Sequence, residues 1–510
     1  MFNTKTSFFL LLVSMCFLSV KAQDSISLFK TINNQYDTER NFKDNFFYNP
    51  ASMSGYSPSS FSEFSVGYHK NDKKIYRQQL GNGDKGLTVE AKSFQKLKPN
   101  RYVWGNASYQ NLKTGLLQWN ESLDYDRVAP YITADSAGGK LNLERYHFAG
   151  GYLQKFNRWT IAGQVSYLAQ MGFRAKDPRL KSTTSDLRIK AGLNYIFYKE
   201  YEVGVFGEFS KYTQNSSITF QSLLGRPFTY QMSGFGFSNY LFNGSANPNT
   251  TFEEFAYKGG IQIANKQGRD FYLQAAWGKS NNIKSYVNSP SSNLFYDLSD
   301  LENKTIEVEG AKFFSINEKN RIGLLANFSS SVKTGYEYGY SLNTASLQQI
   351  YKRKSYRKED YTTGVKAFYQ YNQENFSITA TPFFAYEEIK ERRLYPAAGQ
   401  KFIYSYFGIN VDYKQQIKDN RVLTVQPYFS QRVVGKNFNA LTTSGNAAVN
   451  EWILQDYIYQ ASDMTTLGAS IRYDFKLPKL PAFFVGAQYQ SQKIQKKNNN
   501  FVGASIGITF

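Results

Sequence analysis

The sequence is poor in the residues that build disulfides, metal sites and catalytic centres. It has one cysteine, Cys16, and two histidines, His69 and His147, among 510 residues. Because Cys16 lies in an apolar stretch that we expect to be removed, disulfides and thiolate metal sites are excluded from the mature chain. Neither histidine stands in a motif that fixes a nucleophile or a set of metal ligands. We therefore expect no cofactor, no metal and no enzyme activity.

Long apolar runs are equally scarce. The one nearly continuous run, from Phe8 to Val20, follows a lysine and ends at Val20-Lys21-Ala22. A short positive region, an apolar core and a small terminal residue are typical of a secretory signal, so we predict that residues 1–22 are cleaved near Ala22. A lipoprotein signal at Cys16 is the alternative, but Met15 stands where that signal needs a small residue.

After this run, no stretch of about 18 apolar residues remains that could cross a membrane as a helix. The mean hydropathy of −0.50 still allows a membrane protein. A membrane β-strand turns only every second residue to lipid, and an average over the chain misses that pattern. Aromatic residues, by contrast, make up 17% of the chain, with 40 Tyr and 42 Phe. Barrels place such rings on the lipid band and at both membrane interfaces, so the composition favours a membrane β-barrel.

Alternation along segments of about ten residues supports the same conclusion, because a tilted membrane strand needs that length. In one segment the odd positions from Leu187 to Phe197 are apolar, whereas Arg188 and Lys190 lie on the other face. In the last segment Val502, Ala504, Ile506 and Ile508 alternate with small or polar residues. A soluble sandwich also alternates, but its strands are shorter and its outward face is the polar one.

Tight polar turns alternate with longer excursions along the chain, among them 282–302, 334–358 and 390–400. Short turns normally face the periplasm and long loops the outside. We therefore predict an all-β fold, a transmembrane antiparallel barrel over residues 61–510. It has about 18 strands, in a range of roughly 14 to 20, and an even number places both ends of the wall on the same side.

Two local patterns resemble known barrels. The last strand, with Phe501 near its start and Phe510 at its end, resembles the signal by which outer-membrane barrels are recognised for assembly. That resemblance implies recognition through Phe501, Ile506, Ile508 and Phe510. Over the whole chain, the texture rich in Tyr, Asn and Lys resembles the outer-membrane barrels of Bacteroidetes-type bacteria.

The tripeptide Asn49-Pro50-Ala51, shortly before the first strand, is similar to a turn in the long-chain fatty-acid transporter family and in PorV-like and PorP-like barrels. This resemblance implies fewer strands than the turn spacing does. A plain turn is the alternative, since Asn-Pro is a good turn initiator.

Residues 23–60 differ from the rest, because they carry many charges and lack sustained alternation until Phe61. The cluster Phe42, Phe46, Phe47 and Tyr48 is too apolar for a free tail. We predict that this segment fills the barrel lumen as a plug, with a turn at Asn49, Pro50 and Ala51. A periplasmic leader is the alternative.

The formal charge of +20 would suit nucleic acid, but the basic residues are dispersed and the chain is expected to be exported. Contact with anionic lipid headgroups or lipopolysaccharide phosphates explains the charge more simply. The densest basic cluster falls in a predicted outer loop and is either an acidic-ligand site or a solvated loop top. It consists of Lys352, Arg353, Lys354, Arg357 and Lys358.

Charged residues on the polar faces of the strands indicate a hydrated interior of mixed charge. They are Arg188, Lys190, Glu202, Glu208, Asp412, Arg472 and Asp474. We therefore predict an outer-membrane barrel for passage or uptake of a small solute, alone or beside a larger transport system. The alternative is a non-conducting barrel that docks surface proteins or a secretion machine. The expected partners are outer-membrane lipid, lipopolysaccharide, the barrel-assembly machinery and other transport or secretion components.

Overall fold

A computed structural model describes residues 27–222, 226–244, 248–289, 294–341, 347–441 and 446–510. The predicted signal at residues 1–22 lies outside these ranges. The wall consists of eighteen long strands, here β1 to β18 in chain order: Phe61–Asp72, Gly83–Lys98, Arg101–Leu117, Gly139–Phe156, Trp159–Phe173, Arg179–Tyr198, Tyr201–Thr219, Asn249–Asn265, Phe271–Ser289, Leu294–Ser315, Asn320–Ser341, Gln348–Asn372, Phe376–Arg393, Ala398–Lys418, Arg421–Val434, Met464–Lys476, Ala482–Ile494 and Lys497–Thr509.

Every wall strand pairs antiparallel with its neighbours in the sequence, and β1 closes the sheet against β18. At that seam Glu63 lies opposite Thr509 and Asp72 opposite Asn500. The sheet has a nineteenth strand, Phe438–Ala440, which pairs only with the start of β14. The structure thus confirms the closed antiparallel barrel and the strand number.

The two faces of the wall differ as the alternation predicts. On β6 the Ile189 side chain is 45% exposed, whereas Asp186 and Asn194 are buried at 4% and 3%. Exposed aromatic and aliphatic side chains recur at every second position on many other strands, for example Val205, Phe209 and Val485. This outward apolar surface is the one a lipid bilayer would cover, and the polar residues face the lumen.

The wall is uneven in height. Strands β10, β11 and β12 have 22, 22 and 25 residues, whereas β1 and the last three strands have 12 or 13. All connections at one end of the barrel, the short-turn end, are tight, for example 199–200 and 419–420. At the other, long-loop end, only 118–138, 220–248 and 435–463 are long.

Three predicted excursions are therefore mostly strand. Most of 282–302, 334–358 and 390–400 belongs to hairpins whose connections are only 290–293, 342–347 and 394–397. The reason is that a strand in water above the membrane needs no apolar row, so the alternation fades while the backbone ladder continues.

The described part of the chain has four α-helices outside the wall strands: α1 Leu28–Gln35, α2 Thr38–Phe42, α3 Tyr125–Val128 and α4 Ala447–Gln460. Within the described ranges, none of the helices is both long and apolar enough to cross a membrane. Helices α1 and α2 and two short 3₁₀ turns, Asp44–Tyr48 and Pro50–Gly55, form the luminal segment, residues 27–60. Helices α3 and α4 belong to the cap, the group of connections 73–82, 118–138, 226–244 and 446–463.

Candidate functional site

The luminal segment begins with helix α1, which packs inside the short-turn end of the barrel. The Ser27 hydroxyl caps it by accepting a hydrogen bond from the Lys30 backbone N–H at 3.3 Å. The buried face of α1 is Leu28, Phe29 and Ile32, which form one apolar cluster with Val422 on β15 and Ala482 on β17. The spacing of these residues puts them on one helix face, and this face is what holds the helix to the wall.

After α1 the segment joins a buried ionic network at the seam. The Tyr36 hydroxyl donates to the Glu63 carboxylate, and the Arg472 guanidinium lies over the Tyr36 ring, 4.5 Å from its centroid. Arg472 also pairs with Glu63 at 3.0 Å and with Asp474 at 2.8 Å. Two of the predicted lumen residues, Arg472 and Asp474, therefore meet the luminal segment through Tyr36.

Helix α2 makes a second set of ionic contacts. Glu39 pairs with Lys43 at 2.9 Å and with Arg321 on β11. Lys43 also donates to the backbone oxygen of Gly268, in the turn between β8 and β9, at 2.8 Å. Burial lowers the pKa of the Lys43 ammonium, and the Glu39 carboxylate opposes that shift. The helix is thus tied to both the wall and a turn at the short-turn end.

Aromatic rings fill the space around α2 and the first 3₁₀ turn. Phe42 contacts Phe313 and Phe368, with ring centroids 5.8 and 5.3 Å apart, and Phe46 contacts Tyr272 at 5.0 Å. These rings belong to the largest apolar cluster of the molecule, which mixes residues of the segment with inward residues of the wall. Burial of such rings is the main apolar contribution to holding the segment in place.

The turn at Asn49, Pro50 and Ala51 is buried against the wall. Asn49 donates to the side chains of Asn194 at 2.8 Å and Gln262 at 3.1 Å, while its own Oδ1 accepts from the Ala51 N–H at 3.0 Å. It thereby caps the 3₁₀ turn Pro50–Gly55.

The wall is shaped for this turn by two glycines on neighbouring strands. A Cβ at Gly192 on β6 would stand 2.1 Å from Asn49 Oδ1, and one at Gly204 on β7 would stand 2.8 Å from Asn49 Nδ2. Any larger residue at either place would collide with the turn. The fit between Asn49 and these glycines is long-range complementarity that local sequence patterns do not contain.

The tip of the segment reaches the middle of the barrel at Tyr48. Its hydroxyl donates to Glu208 at 2.7 Å, and the ammonium groups of Lys190 and Lys258 lie 3.5 and 4.3 Å from its ring centroid. Lys190 is also 3.5 Å from Glu208. Cations over a ring whose hydroxyl meets a carboxylate make this a favourable, mutually satisfied cluster.

Above Tyr48 lies the inner cavity, of about 720 Å³. Its lining has charged side chains of both signs: Arg127, Arg188, Lys258 and Lys333, with Asp124, Asp126, Asp186, Glu208 and Glu254. A space of this volume and polarity suits a small polar solute.

The roof of the inner cavity is helix α3 of the cap. Arg127 reaches from it to two strands, pairing with Asp186 on β6 at 2.8 Å and with Glu254 on β8 at 2.7 Å. Its guanidinium also lies over the Tyr212 ring, 3.8 Å from the centroid. Asp186 accepts a second pair from Arg188 at 2.9 Å, which places this predicted lumen residue at the cavity wall.

The cap is held by a stacked tryptophan pair and by buried ions. Trp119 and Trp452 are nearly parallel, with ring centroids 5.1 Å apart. Arg174, 1% exposed, pairs with Glu121 at 2.6 Å and with Asp135 at 3.4 Å. Burial raises the pKa of the Glu121 carboxyl well above its usual range, and the Arg174 guanidinium opposes that shift.

The other predicted residues have these places in the structure. Asp412 is buried and pairs with Lys414 at 2.6 Å, and Glu202 is buried on β7. Ile506 and Ile508 lie on the outward side of β18, where Ile506 is 61% exposed, and Phe510 follows the last residue of that strand and is 40% exposed. Phe501 is on the opposite side, where its ring stacks on His69 with centroids 5.6 Å apart.

The basic cluster lies on strand β12, and its prediction as an outer loop is wrong. Lys352 pairs with Asp300 at 2.6 Å and lies over the rings of Tyr336 and Tyr338 on neighbouring β11. These cross-strand contacts support the hairpin beyond the membrane region, because paired side chains on adjacent strands stabilise a sheet. Arg353, Lys354, Arg357 and Lys358 belong to the same strand.

Sequence reasoning missed helix α4 and the Arg174 cluster. The signal for α4 was present, since Asn446 precedes Ala447-Ala448 and no glycine or proline follows before Gly468. The ion cluster has no comparable signal, because Arg174 lies in the connection 174–178, whereas Glu121 and Asp135 lie in the connection 118–138.

No curated protein matches this chain in sequence. Among solved structures, the chain is similar to the ferric preacinetobactin receptor BauA from Acinetobacter baumannii, with 10% identity and a TM-score of 0.39, over 89% of this chain and 80% of that one. It is similar to the ferric citrate transporter FecA with 12% identity and a TM-score of 0.39, over 89% and 79%. The copper transporter OprC matches with 7% identity and a TM-score of 0.37, over 89% and 81%.

A family model matches residues 50–510, which include the 3₁₀ turn Pro50–Gly55 and the whole wall. Since this match covers most of the sequence, the chain belongs to that family, described as a family of unknown function (DUF6850).

Proposed function

We propose that this barrel passes a small polar solute across the outer membrane and that the luminal segment closes its path. The observation that carries the proposal is the inner cavity of about 720 Å³, which has charges of both signs and lies between the Tyr48 partners Glu208 and Lys258 and the helix α3. A purely structural barrel has no need of a charged chamber in its middle, and ionisable side chains at membrane depth typically mark the pathway of a solute.

In this proposal the apolar outer face contacts lipid, the long-loop end faces outside and the short-turn end faces the periplasm. The dispersed positive charge contacts lipopolysaccharide phosphates. Residues 1–22 direct export, and the last strand directs assembly. The barrel passes the solute by itself or as an accessory to a larger transport system.

The luminal segment is the main barrier in this proposal. Its contacts run around the lumen, from Glu63 on β1 through Asn194 on β6 and Phe313 on β10 to Ala482 on β17. The cap, by contrast, has a cavity of about 330 Å³ among its own connections. The segment therefore closes the cross-section more completely than the cap does.

The test is deletion of residues 24–57 behind the intact signal. We expect a folded, heat-modifiable barrel with a larger single-channel conductance in planar bilayers than the full chain, and greater antibiotic leakage in cells. A control replaces residues 24–57 by a Gly- and Ser-rich sequence of equal length, which keeps the chain length and removes the contacts. It should conduct more than the full chain as well. A deletion protein that folds and conducts no more than the full chain would overturn the proposal.

A docking barrel is the second candidate, and one observation favours it. Both ends of the lumen are occupied, by the luminal segment and by the stacked Trp119 and Trp452 of the cap. This candidate would be supported if no conductance were measured in planar bilayers for the full chain, the deletion protein or the replacement protein.

A further inference from the structure

A second space, the outer cavity of about 380 Å³, lies at the tall side of the wall, away from the inner cavity. It is framed by the hairpins of β9 to β13 and by the cap connection 226–244. Its lining includes three tyrosines in a belt at the long-loop end: Tyr240, Tyr340 and Tyr351. Tyr240 is 78% exposed, so at least one ring face is open to a ligand from solution.

The polar groups of the outer cavity are buried and unpaired to an unusual degree. Lys284 is 2% exposed, and its Nζ has no hydrogen-bond partner among the described residues. The same holds within the described ranges for Tyr131 Oη, Ser299 Oγ and Arg393 Nε, which line this cavity too. Buried donors without partners are rare in folded proteins, and their concentration at one cavity points to a ligand that accepts hydrogen bonds.

The charge balance gives the sign of that ligand. The charged lining consists of three cations, Lys284, Arg353 and Arg393, and one carboxylate, Glu337. Both oxygens of Glu337 are already engaged by Arg393, one of them at 2.8 Å. Arg353 is therefore left without a carboxylate among the residues that line the cavity, and an anion beside Lys284 would favour the charged form of its buried amine.

The size of the outer cavity and its uncharged polar and aromatic groups indicate the chemical class of the ligand. A simple inorganic anion would leave much of the 380 Å³ and the tyrosine rings without contact. Tyrosine faces suit the flat side of a sugar ring, and hydroxyl groups would pair with Ser299 and Tyr131. We propose that the outer cavity binds a sugar acid, a ring that bears hydroxyl groups and one carboxylate, with the carboxylate at Lys284. The site rests on the proposed function in one respect, since it would hold a solute before passage.

The test is isothermal titration calorimetry of the full chain in detergent with D-glucuronate. We expect one site per chain, at least about tenfold weaker binding of D-glucose, and no competition by inorganic phosphate. D-glucose as tight as D-glucuronate, or phosphate that displaces it, would overturn the assignment, the first for charge and the second for the ring.

Variants locate the site. Lys284→Met should weaken D-glucuronate binding about tenfold or more, and Lys284→Arg should restore most of it. Tyr240→Ala, at a side chain too exposed to matter for folding, should weaken binding severalfold. The matched control is Lys211→Met, which removes a lysine from the exposed Lys211–Glu253 pair at 3.0 Å on the outer surface. Unchanged binding in both Lys284→Met and Tyr240→Ala would overturn the site.

The calorimetry and the conductance measurements distinguish a failure of the binding site from a failure of the proposed passage. D-glucuronate binding by the full chain, with no conductance gain on deletion of residues 24–57, would keep the site and remove the proposed passage. A conductance gain without D-glucuronate binding would keep passage and remove the site.

Discussion

The two fillings of the lumen are built in opposite ways. The luminal segment is one continuous peptide that enters the wall at Phe61, and it is held by rings, by hydrogen bonds from Tyr48 and Asn49 and by ion pairs such as Glu39–Arg321. The cap consists of separate connections, each fixed to strands at both ends; the Arg77–Asp456 pair at 3.3 Å joins two of them, and buried Arg174, from the neighbouring connection 174–178, holds 118–138. A segment of the first kind can move as a unit without breaking the wall, whereas the cap can open only if several anchored pieces separate.

The largest effect is expected from a substitution that destabilises the cap and leaves the luminal segment in place. Arg174→Met leaves Glu121 and Asp135 buried without their cation, and loss of one partner of a buried pair costs about 3–5 kcal/mol. We expect a lower thermal unfolding temperature in detergent and rapid proteolysis within 118–138, while hydrogen exchange in residues 27–60 stays slow.

The matched control for that variant is Arg179→Met. Arg179 is 39% exposed and pairs with Asp177 at 3.0 Å near the surface, where such pairs contribute about 0–1 kcal/mol. If both variants unfold at the same temperature, the buried cluster does not hold the cap.

A smaller effect is expected from a substitution that displaces the luminal segment and leaves the cap in place. Gly192→Ala places a methyl group 2.1 Å from Asn49 Oδ1, and relief of such a clash in packed surroundings costs about 1–3 kcal/mol. We expect faster hydrogen exchange in residues 44–55 and brief conductance steps in bilayers.

Gly163→Ala serves as the control, because its nearest atom, the backbone oxygen of Lys190, would be 3.8 Å from the new Cβ. Equal hydrogen-exchange rates in the two alanine variants would show that the close approach of Gly192 to Asn49 does not hold the turn.

The smallest effect concerns a single hydrogen bond at the tip of the segment. Tyr48→Phe keeps the ring under Lys190 and Lys258 but removes the bond to Glu208, at a cost of about 1 kcal/mol. Hydrogen exchange near residue 48 should rise modestly with unchanged conductance. A conductance as large as that of the deletion protein would mean that this one bond, rather than the ring packing, keeps the path closed.

The sequence predicts the wall well because lipid imposes a two-residue period. Leu187 and Ile189 had to face outward, which left Arg188 and Lys190 facing inward, and closure required paired strands throughout. The tall hairpin of β11 and β12 was not predictable in the same way, because the basic cluster from Lys352 to Lys358 stands in water and carries no apolar row.

The luminal contacts were still harder to predict. Asn49 meets Gly192 across more than a hundred residues of chain, and Arg174 meets Glu121 between two connections. Such pairs are created by closure of the barrel, and no local period records them.

The uneven height of the wall makes the long-loop end directional. A strand of 25 residues extends roughly 85 Å and one of 12 residues roughly 40 Å along its own axis, at about 3.4 Å per residue. The rim therefore slopes from the hairpin of β11 and β12 down to the seam of β1 and β18. Molecules that diffuse in over the low side collide with the tall side, where the outer cavity lies, whereas molecules from the opposite direction are blocked by its back. Encounter rates at this surface depend on the angle of approach within the plane of the membrane.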